Sequence, residues 1–134
     1  MARAETPFPA RGNCYNARCP TRAILGHVTG RWGALVLGAL TAGTMRYSEI
    51  RVRVDGISEK MLAQTLRDLE RDGFVHRRQH PSVPPRVDYT LTPAGVELAK
   101  RVHGLIHWLE DHVAGVVAAQ ESHDHARAGL RAVG

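Results

Sequence analysis

The 134-residue sequence predicts an α+β fold that is mostly helical. A capped helix is indicated from Ser58 to Gly73, because serine favours helix N-termini and glycine favours the position just past their ends. Residues 75–80 and 87–91 then fit the two-residue period of a β-strand. The proline-rich segment between them, residues 81–85, cannot continue a strand ladder. A helix followed by a basic hairpin is typical of a winged helix-turn-helix.

Composition limits the partners and the compartment of the protein. Its 18 basic and 13 acidic residues give a net charge of +5, which favours anionic partners without identifying one. Nine basic and seven acidic residues lie between positions 44 and 90, so a DNA-binding face there requires charges sorted onto one side. The apolar run over residues 32–40 is shorter than the roughly 20 residues that span a bilayer, and no signal-peptide core precedes it. We expect a soluble, cytoplasmic protein without membrane contact.

The length of the chain fits one folded domain. We predict a flexible N-terminal segment over residues 1–18 and a flexible C-terminal tail over residues 120–134. The winged-helix DNA-binding and dimerisation domain is expected over residues 19–119.

Short elements are predicted between the N-terminal segment and the capped helix. Apolar positions from Arg22 to Val28 indicate a first helix, and residues 32–40 indicate a second, buried helix. Residues 44–47 fit a minimal strand. Ser48 is placed to cap a short helix over residues 49–54, with an acidic first turn that suits the helix dipole.

A long apolar stripe follows Thr92-Pro93, a pair that is typical of a helix start. Its members recur at steps of three and four residues; they are Leu98, Val102, Leu105, Ile106, Leu109, Val113, Val116 and Val117. The preceding elements are too small to cover the whole stripe. A helix from a second copy of the chain is the simplest cover.

The face of the capped helix that contacts DNA follows from a helical wheel at about 100° per residue. Leu62, Leu66 and Leu69 fall on one side and form a buried stripe. The residues predicted to contact DNA lie on or beside the other face: Ser58, Lys60, Met61, Gln64, Thr65, Arg67 and Arg71. Lysine and arginine donate to guanine, and glutamine pairs with adenine, whereas Arg67 and Arg71 lie further along and suit phosphates. The alternative is an ordinary solvated helix face.

Basic side chains also flank the predicted hairpin loop. The candidate DNA contacts of this wing are Arg77, Arg78, His80 and Arg86. A positive projection stiffened by proline suits contact with phosphates or with the minor groove. A rigid turn is the simpler role for the prolines, and both roles are compatible. Asp88 is expected to neutralise a neighbouring arginine.

These pieces, in this order, resemble the HxlR-type branch of the MarR-like winged-helix transcriptional regulators. The matching motifs span residues 19–112 and are Cys19-Pro20 with Ile24, Gly30-Arg31-Trp32, Arg46-Tyr47-Ser48-Glu49-Ile50, Gly56-Ile57-Ser58, Lys60-Met61-Leu62, Leu66-Arg67, Leu69-Glu70, Asp72-Gly73, Val83-Pro84-Pro85-Arg86-Val87 with Tyr89, and Leu91-Thr92 with Gly95. The resemblance implies that residues 58–71 form a recognition helix and residues 81–86 a wing. It also implies a homodimer, built through the first and last helices, that binds an inverted-repeat operator in double-stranded DNA. The dimer interface expected on this basis includes Ile24, Val28, Val102, Leu105, Ile106, Leu109 and Val113.

Cys19 and Cys14 are the candidate redox-sensing residues. Cys19 matches the N-terminal cysteine with which some members of the family sense oxidants or electrophiles, whereas Cys14 lies outside the matched segment. Arg18 and Arg22 flank Cys19, and nearby cations raise the thiolate fraction that oxidation requires. The alternatives are a structural thiol, a Cys14–Cys19 disulfide and a bond between chains.

Other functions are less well supported by the sequence. His103 and His107 have metal-ligand spacing, but a third ligand is not in register with them, so no metal or cofactor is expected. An enzyme is not predicted, because neither a catalytic triad order nor a phosphate-binding glycine loop is evident. A winged helix used only for protein contact would favour an apolar outer helix face. A small-molecule effector near Trp32 and Trp108 remains open.

We therefore predict a homodimeric DNA-binding regulator, in particular a repressor that responds to an oxidant, an electrophile or a small molecule.

Overall fold

The computed structural model, which describes residues 11–133, contains five helices and a small antiparallel sheet. The elements in chain order are α1 (Pro20–Thr29), α2 (Gly33–Leu40), β1 (Met45–Arg46), α3 (Tyr47–Arg53), α4 (Glu59–Arg71), β2 (Val75–His80), β3 (Arg86–Leu91) and α5 (Pro93–Val133). This arrangement is the predicted winged helix-turn-helix, in which α3 and α4 form the helix-turn-helix and the β2–β3 hairpin forms the wing. The first ten residues of the predicted N-terminal segment lie outside the described part.

Helix α2 is the centre of the domain because it is apolar on nearly every side. Val36, Leu37 and Leu40 are at most 2% exposed, and α2 contacts α1, α3, α4 and α5. The buried stripe of α4 packs into the same core through Leu62, Leu66 and Leu69, as the helical wheel predicts. This packing fixes the opposite side of α4 toward solvent.

The helix boundaries agree with the sequence prediction where a capping side chain is present. Ser58 precedes α4, and its hydroxyl accepts from the Met61 backbone N–H at 3.1 Å. Thr92 precedes α5, and its hydroxyl accepts from the Gly95 N–H at 3.0 Å. The prediction is wrong at Ser48, because α3 begins earlier, at Tyr47.

Glu49 explains the earlier start of α3. Its carboxylate accepts from the Arg46 backbone N–H at 3.1 Å, so a side chain in the first turn reaches back to the residue before the helix. Helix α1 also starts earlier than predicted. Pro20 occupies its first position, where a missing N–H costs nothing, and Cys19 becomes the N-cap residue.

The sheet has the strand order β1-β3-β2, with both pairs antiparallel. Its register places Val75 opposite Leu91 and Arg78 opposite Asp88, while Arg46 of β1 lies opposite Asp88 from the other side. Because side chains alternate across a strand, Asp88 and its neighbours share the face turned away from the core. That face belongs to the site described below.

Helix α5 contains 41 residues, which corresponds to a length of about 60 Å. Its first turns pack on α2, whereas the side chains from Leu109 to Ala132 are all exposed. Residues 120–133 of the predicted flexible tail therefore belong to this helix. The segment contains no proline and several alanines, which favour continuation of a helix.

No single helix within residues 11–133 has both the length and the apolar composition to cross a bilayer. Helices α1 and α2 reach that length and composition only when they are taken together, and the two are bent by 69° relative to each other. Much of α2 lies in the core.

Candidate nucleic-acid interface

The outward face of α4 presents a row of polar and cationic side chains. Lys60, Gln64, Arg67 and Arg71 are all exposed, and Ser58 is exposed at the start of the helix. The chemistry of this row matches what base edges and phosphates accept in the major groove, namely ammonium, amide and guanidinium donors. The structure thus brings these five predicted DNA contacts together.

Gln64 is the middle of a hydrogen-bonded chain along that face. Arg67 Nη2 donates to Gln64 Oε1 at 3.1 Å, and Gln64 Nε2 donates to Asp68 Oδ1 at 3.0 Å. The amide therefore has both its acceptor and one of its donors engaged, and its plane is held in one orientation. Pairing with adenine uses the same two atoms, through the second N–H of Nε2 and the second lone pair of Oε1.

Two members of the predicted set lie away from the centre of the exposed face. Thr65 is only 8% exposed and lies beside the leucine stripe of α4. We therefore exclude it from the candidate DNA contacts. The reason is geometric. Thr65 follows Leu62 by three residues, which places it at about −60° on the wheel, closer to the buried stripe than to the exposed face. Met61 is 41% exposed and borders a small cleft that also contains Trp32.

The N-terminus of α4 is attached to α3 by two polar contacts. Arg51 Nη1 lies 2.8 Å from Glu59 Oε1, and the Tyr47 hydroxyl donates to the Glu59 carbonyl oxygen at 2.8 Å. Partial burial raises the pKa of Tyr47, and the nearby Glu59 carboxylate adds to that effect. The phenol therefore remains a hydrogen-bond donor at neutral pH. These contacts fix the angle between the two helices of the helix-turn-helix.

The wing arginines are divided between two faces of the hairpin. Arg78, His80 and Arg86 share the outer face with Asp88, whereas Arg77 lies on the opposite face, in register with Tyr89. Strand alternation requires this split, because Arg77 and Arg78 are adjacent in one strand. The structure does not bring all four predicted wing contacts together.

Asp88 is the centre of the outer wing face. It is 8% exposed, and it accepts from His80 Nε2 at 2.8 Å and from Arg86 Nε at 3.1 Å. The hydrogen bond from Arg86 is the main reason why the pKa of Asp88 is lowered; burial opposes the shift, and the contact with His80 adds to it. The predicted neutralisation of an arginine by Asp88 is confirmed, and that arginine is Arg86.

Sequence reasoning missed one cation of this face. Arg46 is exposed in β1 and lies opposite Asp88 across the β1–β3 pair. Arg46 and Asp88 are far apart in the sequence, so only the strand pairing places them together. Arg46 extends the cationic face from the wing toward α3.

The apolar stripe of α5 has two parts with different surroundings. Leu105, Leu109 and Val113 are 50–55% exposed, and Val116 and Val117 are 40–41% exposed, so these side chains present an apolar face to solvent. Ile106 is half-buried and packs near Gly38 of α2. Ile24 of α1 is half-buried as well.

Two predicted interface residues belong instead to the core. Val28 is 5% exposed and Val102 is 7% exposed within the chain itself. Both lie where α1 and α5 pack against the rest of the domain, so the simple stripe on α5 includes core positions at its N-terminal end. These two residues leave the candidate dimer surface.

Cys19 has a polar environment at the N-terminus of α1. Its sulfur lies 3.0 Å from the Thr21 hydroxyl and accepts from the Asn13 backbone N–H at 3.3 Å. The contact with Thr21 is the largest reason why the pKa of the Cys19 thiol is lowered, and the Asn13 N–H contributes next. Each of these groups favours the charged sulfur, so Cys19 has an increased thiolate fraction.

Cys14 also contacts Thr21. Its thiol donates to the Thr21 carbonyl oxygen at 3.9 Å, and both cysteines are half-buried and free. The two predicted redox residues therefore meet the same residue. The signal in the sequence was the pair of flanking arginines, whereas the structure assigns the effect on Cys19 to Thr21 and Asn13.

Trp32 and Trp108 lie in different surroundings. A cavity of about 410 Å³ lies between α2 and α5, lined by residues such as Leu35 and Ile106, and neither Trp32 nor Trp108 contributes to it. Trp108 is 54% exposed and stacks on His112, with ring centroids 4.0 Å apart. His103 and His107 pack edge to face, 4.2 Å apart.

Comparison with known proteins identifies the class. Residues 27–116 match the HxlR-like helix-turn-helix family model. That match spans more than half of the chain, and the chain belongs to this family of helix-turn-helix transcriptional regulators.

Individual relatives agree with this assignment. The uncharacterized HTH-type transcriptional regulator YtfH of Escherichia coli (strain K12) is 47% identical over 110 residues, which cover 82% of this chain and 87% of YtfH. The solved ytfH chain from Salmonella typhimurium is 48% identical, with a TM-score of 0.80 over 83% of this chain and 99% of that one. The redox regulator HypR in its oxidized form is 35% identical, with a TM-score of 0.64 over 69% of this chain and 96% of HypR.

Proposed function

We propose that this protein is a homodimeric, sequence-specific regulator that binds an inverted repeat in double-stranded DNA. It acts in the cytoplasm as a repressor and releases its operator when an oxidant or electrophile modifies Cys19. Neither its binding nor its response involves an enzymatic reaction. The observation that supports DNA binding best is the exposed row of Lys60, Gln64, Arg67 and Arg71 on α4, beside a cationic wing.

Roles within the row follow from position along α4. Ser58, Lys60 and Gln64 belong to the first half of the helix and are assigned to base edges. Arg67 and Arg71 lie one and two turns further and are assigned to phosphates. On the wing, Arg78 and Arg86 share a face with Arg46, which supports a continuous phosphate-binding surface, while Arg77 is assigned a separate contact. His80 acts through Asp88.

A second copy of the chain is proposed to cover α5. The exposed apolar residues begin at Leu105, beside Ile106 that packs near α2, and continue to Val117 on the exposed part of α5. Burying such side chains contributes about 25 cal/mol per Å² of apolar surface removed from water, and two identical stripes satisfy each other by a two-fold axis. Dimerisation places two α4 helices on one duplex, which requires half-sites about 10 bp apart or a multiple of that spacing.

The redox step is proposed for the Cys19 thiolate. Its sulfur attacks one oxygen of hydrogen peroxide, an S–O bond forms, and the O–O bond breaks as hydroxide leaves with the electron pair. The sulfur is oxidised to a sulfenic acid, and the hydroxide takes a proton from solvent to give water. The oxygen added to sulfur enters the space where Thr21 and the Asn13 N–H make their contacts. The likeness to a protein named as a redox regulator supports this assignment.

A winged-helix module for protein contact is the competing function. Such a module is expected to have an apolar outer face on α4. The exposed face instead has three cations and an amide, so DNA is the better ligand.

The DNA assignment is tested with variants of the α4 row and the wing. Gln64→Ala and Lys60→Ala should relax base preference at particular operator positions, whereas Arg86→Ala should weaken binding to all sequences and reduce its salt dependence. The measurement is binding to a panel of operator variants by fluorescence anisotropy at several salt concentrations. Thr65→Ala is the matched control on α4, and its base preference should remain that of the wild type. An unchanged preference in Gln64→Ala would show that this face is not the reading face.

The redox assignment is tested with peroxide and Cys19→Ser. The wild type should release its operator on oxidation, and Cys19→Ser should remain bound. Cys14→Ser is the matched control. Release by Cys19→Ser equal to that of the wild type would remove Cys19 from the mechanism.

A further inference from the structure

We propose that the hydrogen bond between His27 and Asp72 transmits the state of Cys19 to the recognition helix. His27 Nδ1 lies 2.6 Å from Asp72 Oδ2, and it joins the end of α1 to the end of α4. The inference rests on the proposed function, since it assumes that Cys19 is oxidised and that α4 binds DNA. It adds the physical connection between these two sites.

Helix α1 is a short rigid element with one site at each end. Cys19 is its N-cap residue, and His27 belongs to its last turn. The helix has 10 residues, so the two ends are about 15 Å apart. A helix of this length moves as a unit when one end is displaced, because its backbone hydrogen bonds resist bending. A displacement at Cys19 therefore reaches His27.

Asp72 is a position where the side chain requires a partner. It is the C-cap residue of α4, and its side chain is 6% exposed. A carboxylate near the C-terminus of a helix is repelled by the helix dipole, and a carboxylate with little access to water must be hydrogen-bonded. The imidazole N–H of His27 meets that need. Movement of His27 away from Asp72 would leave this carboxylate in an unfavourable place, so α4 is expected to follow.

The two ends of α4 are held by different neighbours. At its N-terminus Glu59 contacts Arg51 and Tyr47 of α3, whereas at its C-terminus Asp72 contacts His27 of α1. Among the side-chain hydrogen bonds within residues 11–133, the pair of His27 and Asp72 is the one that links α1 to α4. This pair therefore gives the C-terminal end of the recognition helix a direct polar connection to α1.

Hydrogen–deuterium exchange of the full-length protein without DNA tests the connection directly. Oxidation of Cys19 by hydrogen peroxide should increase amide exchange in the C-terminal half of α4 in the wild type. His27→Leu should abolish that difference between oxidised and reduced protein, and His27→Asn, which keeps a donor, should restore part of it. Arg51→Leu, which breaks the contact at the other end of α4, is the matched control and should keep the difference. Equal differences in the wild type and His27→Leu, or no difference in the oxidised wild type, would overturn the proposal.

Operator binding gives the second measurement. Oxidation should lower the affinity of the wild type and of Arg51→Leu by about fivefold or more, within the range typical of coupled sites. His27→Leu and Asp72→Ala should reach the same extent of Cys19 oxidation by mass spectrometry but lose most of that change in affinity. Operator release by these two variants equal to that of the wild type would also overturn the proposal. A wild-type protein that is fully oxidised at Cys19 and yet does not release its operator would instead contradict the proposed function. The exchange experiment would then still test whether oxidation of Cys19 affects α4 through His27 and Asp72.

Discussion

The sulfur of Cys19 and the hydroxyl oxygen of Thr21 lie 3.0 Å apart in the first turn of α1. This contact is the largest cause of the lowered pKa of Cys19. Thr21→Val keeps the shape of the side chain but removes the hydroxyl, so it should raise the pKa of Cys19 and slow its oxidation at neutral pH. The measurement is the rate of Cys19 alkylation by iodoacetamide as a function of pH, followed by mass spectrometry.

Thr21→Ser is the control for that experiment, because it keeps the hydroxyl. Its alkylation profile should stay close to that of the wild type. If Thr21→Val and the wild type alkylate with the same pH dependence, the hydroxyl does not stabilise the thiolate.

A second prediction concerns the acid stability of the wing. The pKa of Asp88 is lowered in the folded protein, chiefly by the hydrogen bond from Arg86. A carboxyl with a lowered pKa contributes stability that is fully present above its ordinary pKa of 3.8 and is lost as the pH falls below that value. Asp88→Asn lacks this contribution, so its urea midpoint should fall less than that of the wild type between about pH 5 and pH 2.5.

The matched control for Asp88 is Asp68→Asn. Asp68 is a half-buried carboxyl on the surface of α4, where Gln64 donates to it. For each variant we compare the fall of its urea midpoint between the two pH values with the fall of the wild type. The departure from the wild type should be larger for Asp88→Asn than for Asp68→Asn. Parallel acid profiles of the wild type and Asp88→Asn would show that Asp88 does not stabilise the folded wing by its charge.

Two glycines near His27 should respond to alanine in opposite directions. A Cβ at Gly33 would overlap the His27 carbonyl oxygen, whereas a Cβ at Gly26 would meet no atom within 4 Å. Gly33→Ala should therefore destabilise the protein by about 1–3 kcal/mol through overpacking. Gly26→Ala should stabilise it by about 0.5–1 kcal/mol, because alanine favours a helix interior. Urea unfolding measures both values, and equal signs would contradict the close approach of α1 and α2.

The proposed dimer is tested at the exposed stripe of α5. Leu109 is 50% exposed in the single chain, and its replacement by glutamate places a charge in the proposed interface. Leu109→Glu should weaken self-association by tenfold or more, a loss of about 1.4 kcal/mol or more. Sedimentation equilibrium provides the measurement. Val52→Glu, at an exposed position on α3, is the control and should sediment as the wild type does; an unchanged mass for Leu109→Glu would place the interface elsewhere.

Local chemistry explains which parts of the fold were predictable. Ser58 and Thr92 have short polar side chains that bond to nearby N–H groups, so both helix starts follow from the sequence alone. The stripe of Leu62, Leu66 and Leu69 is buried as its spacing predicts. Ser48 has the same chemistry, but Glu49 reaches the Arg46 N–H and moves the start of α3. Two competing caps cannot be ranked from spacing alone.

Contacts between distant segments explain the rest. His27 and Asp72 are 45 residues apart, and no periodicity relates them. Val102 continues the stripe of α5 but is buried because α5 packs on α2 there, which depends on the tertiary arrangement. Thr65 is polar and yet lies on the inner side of α4. The environments of His27, Asp72 and Val102 therefore depend on how the helices pack, whereas the burial of Thr65 agrees with its angle on the helical wheel.

The central claim is that two copies of α4 read one duplex. Its most direct test is the selection of binding sites from a random double-stranded library by the purified wild-type protein at low salt, followed by sequencing. We predict enriched sites that form an inverted repeat, with half-site centres about 10 bp apart or a multiple of that spacing. Enrichment of isolated half-sites, or no enrichment over the starting library, would contradict the claim.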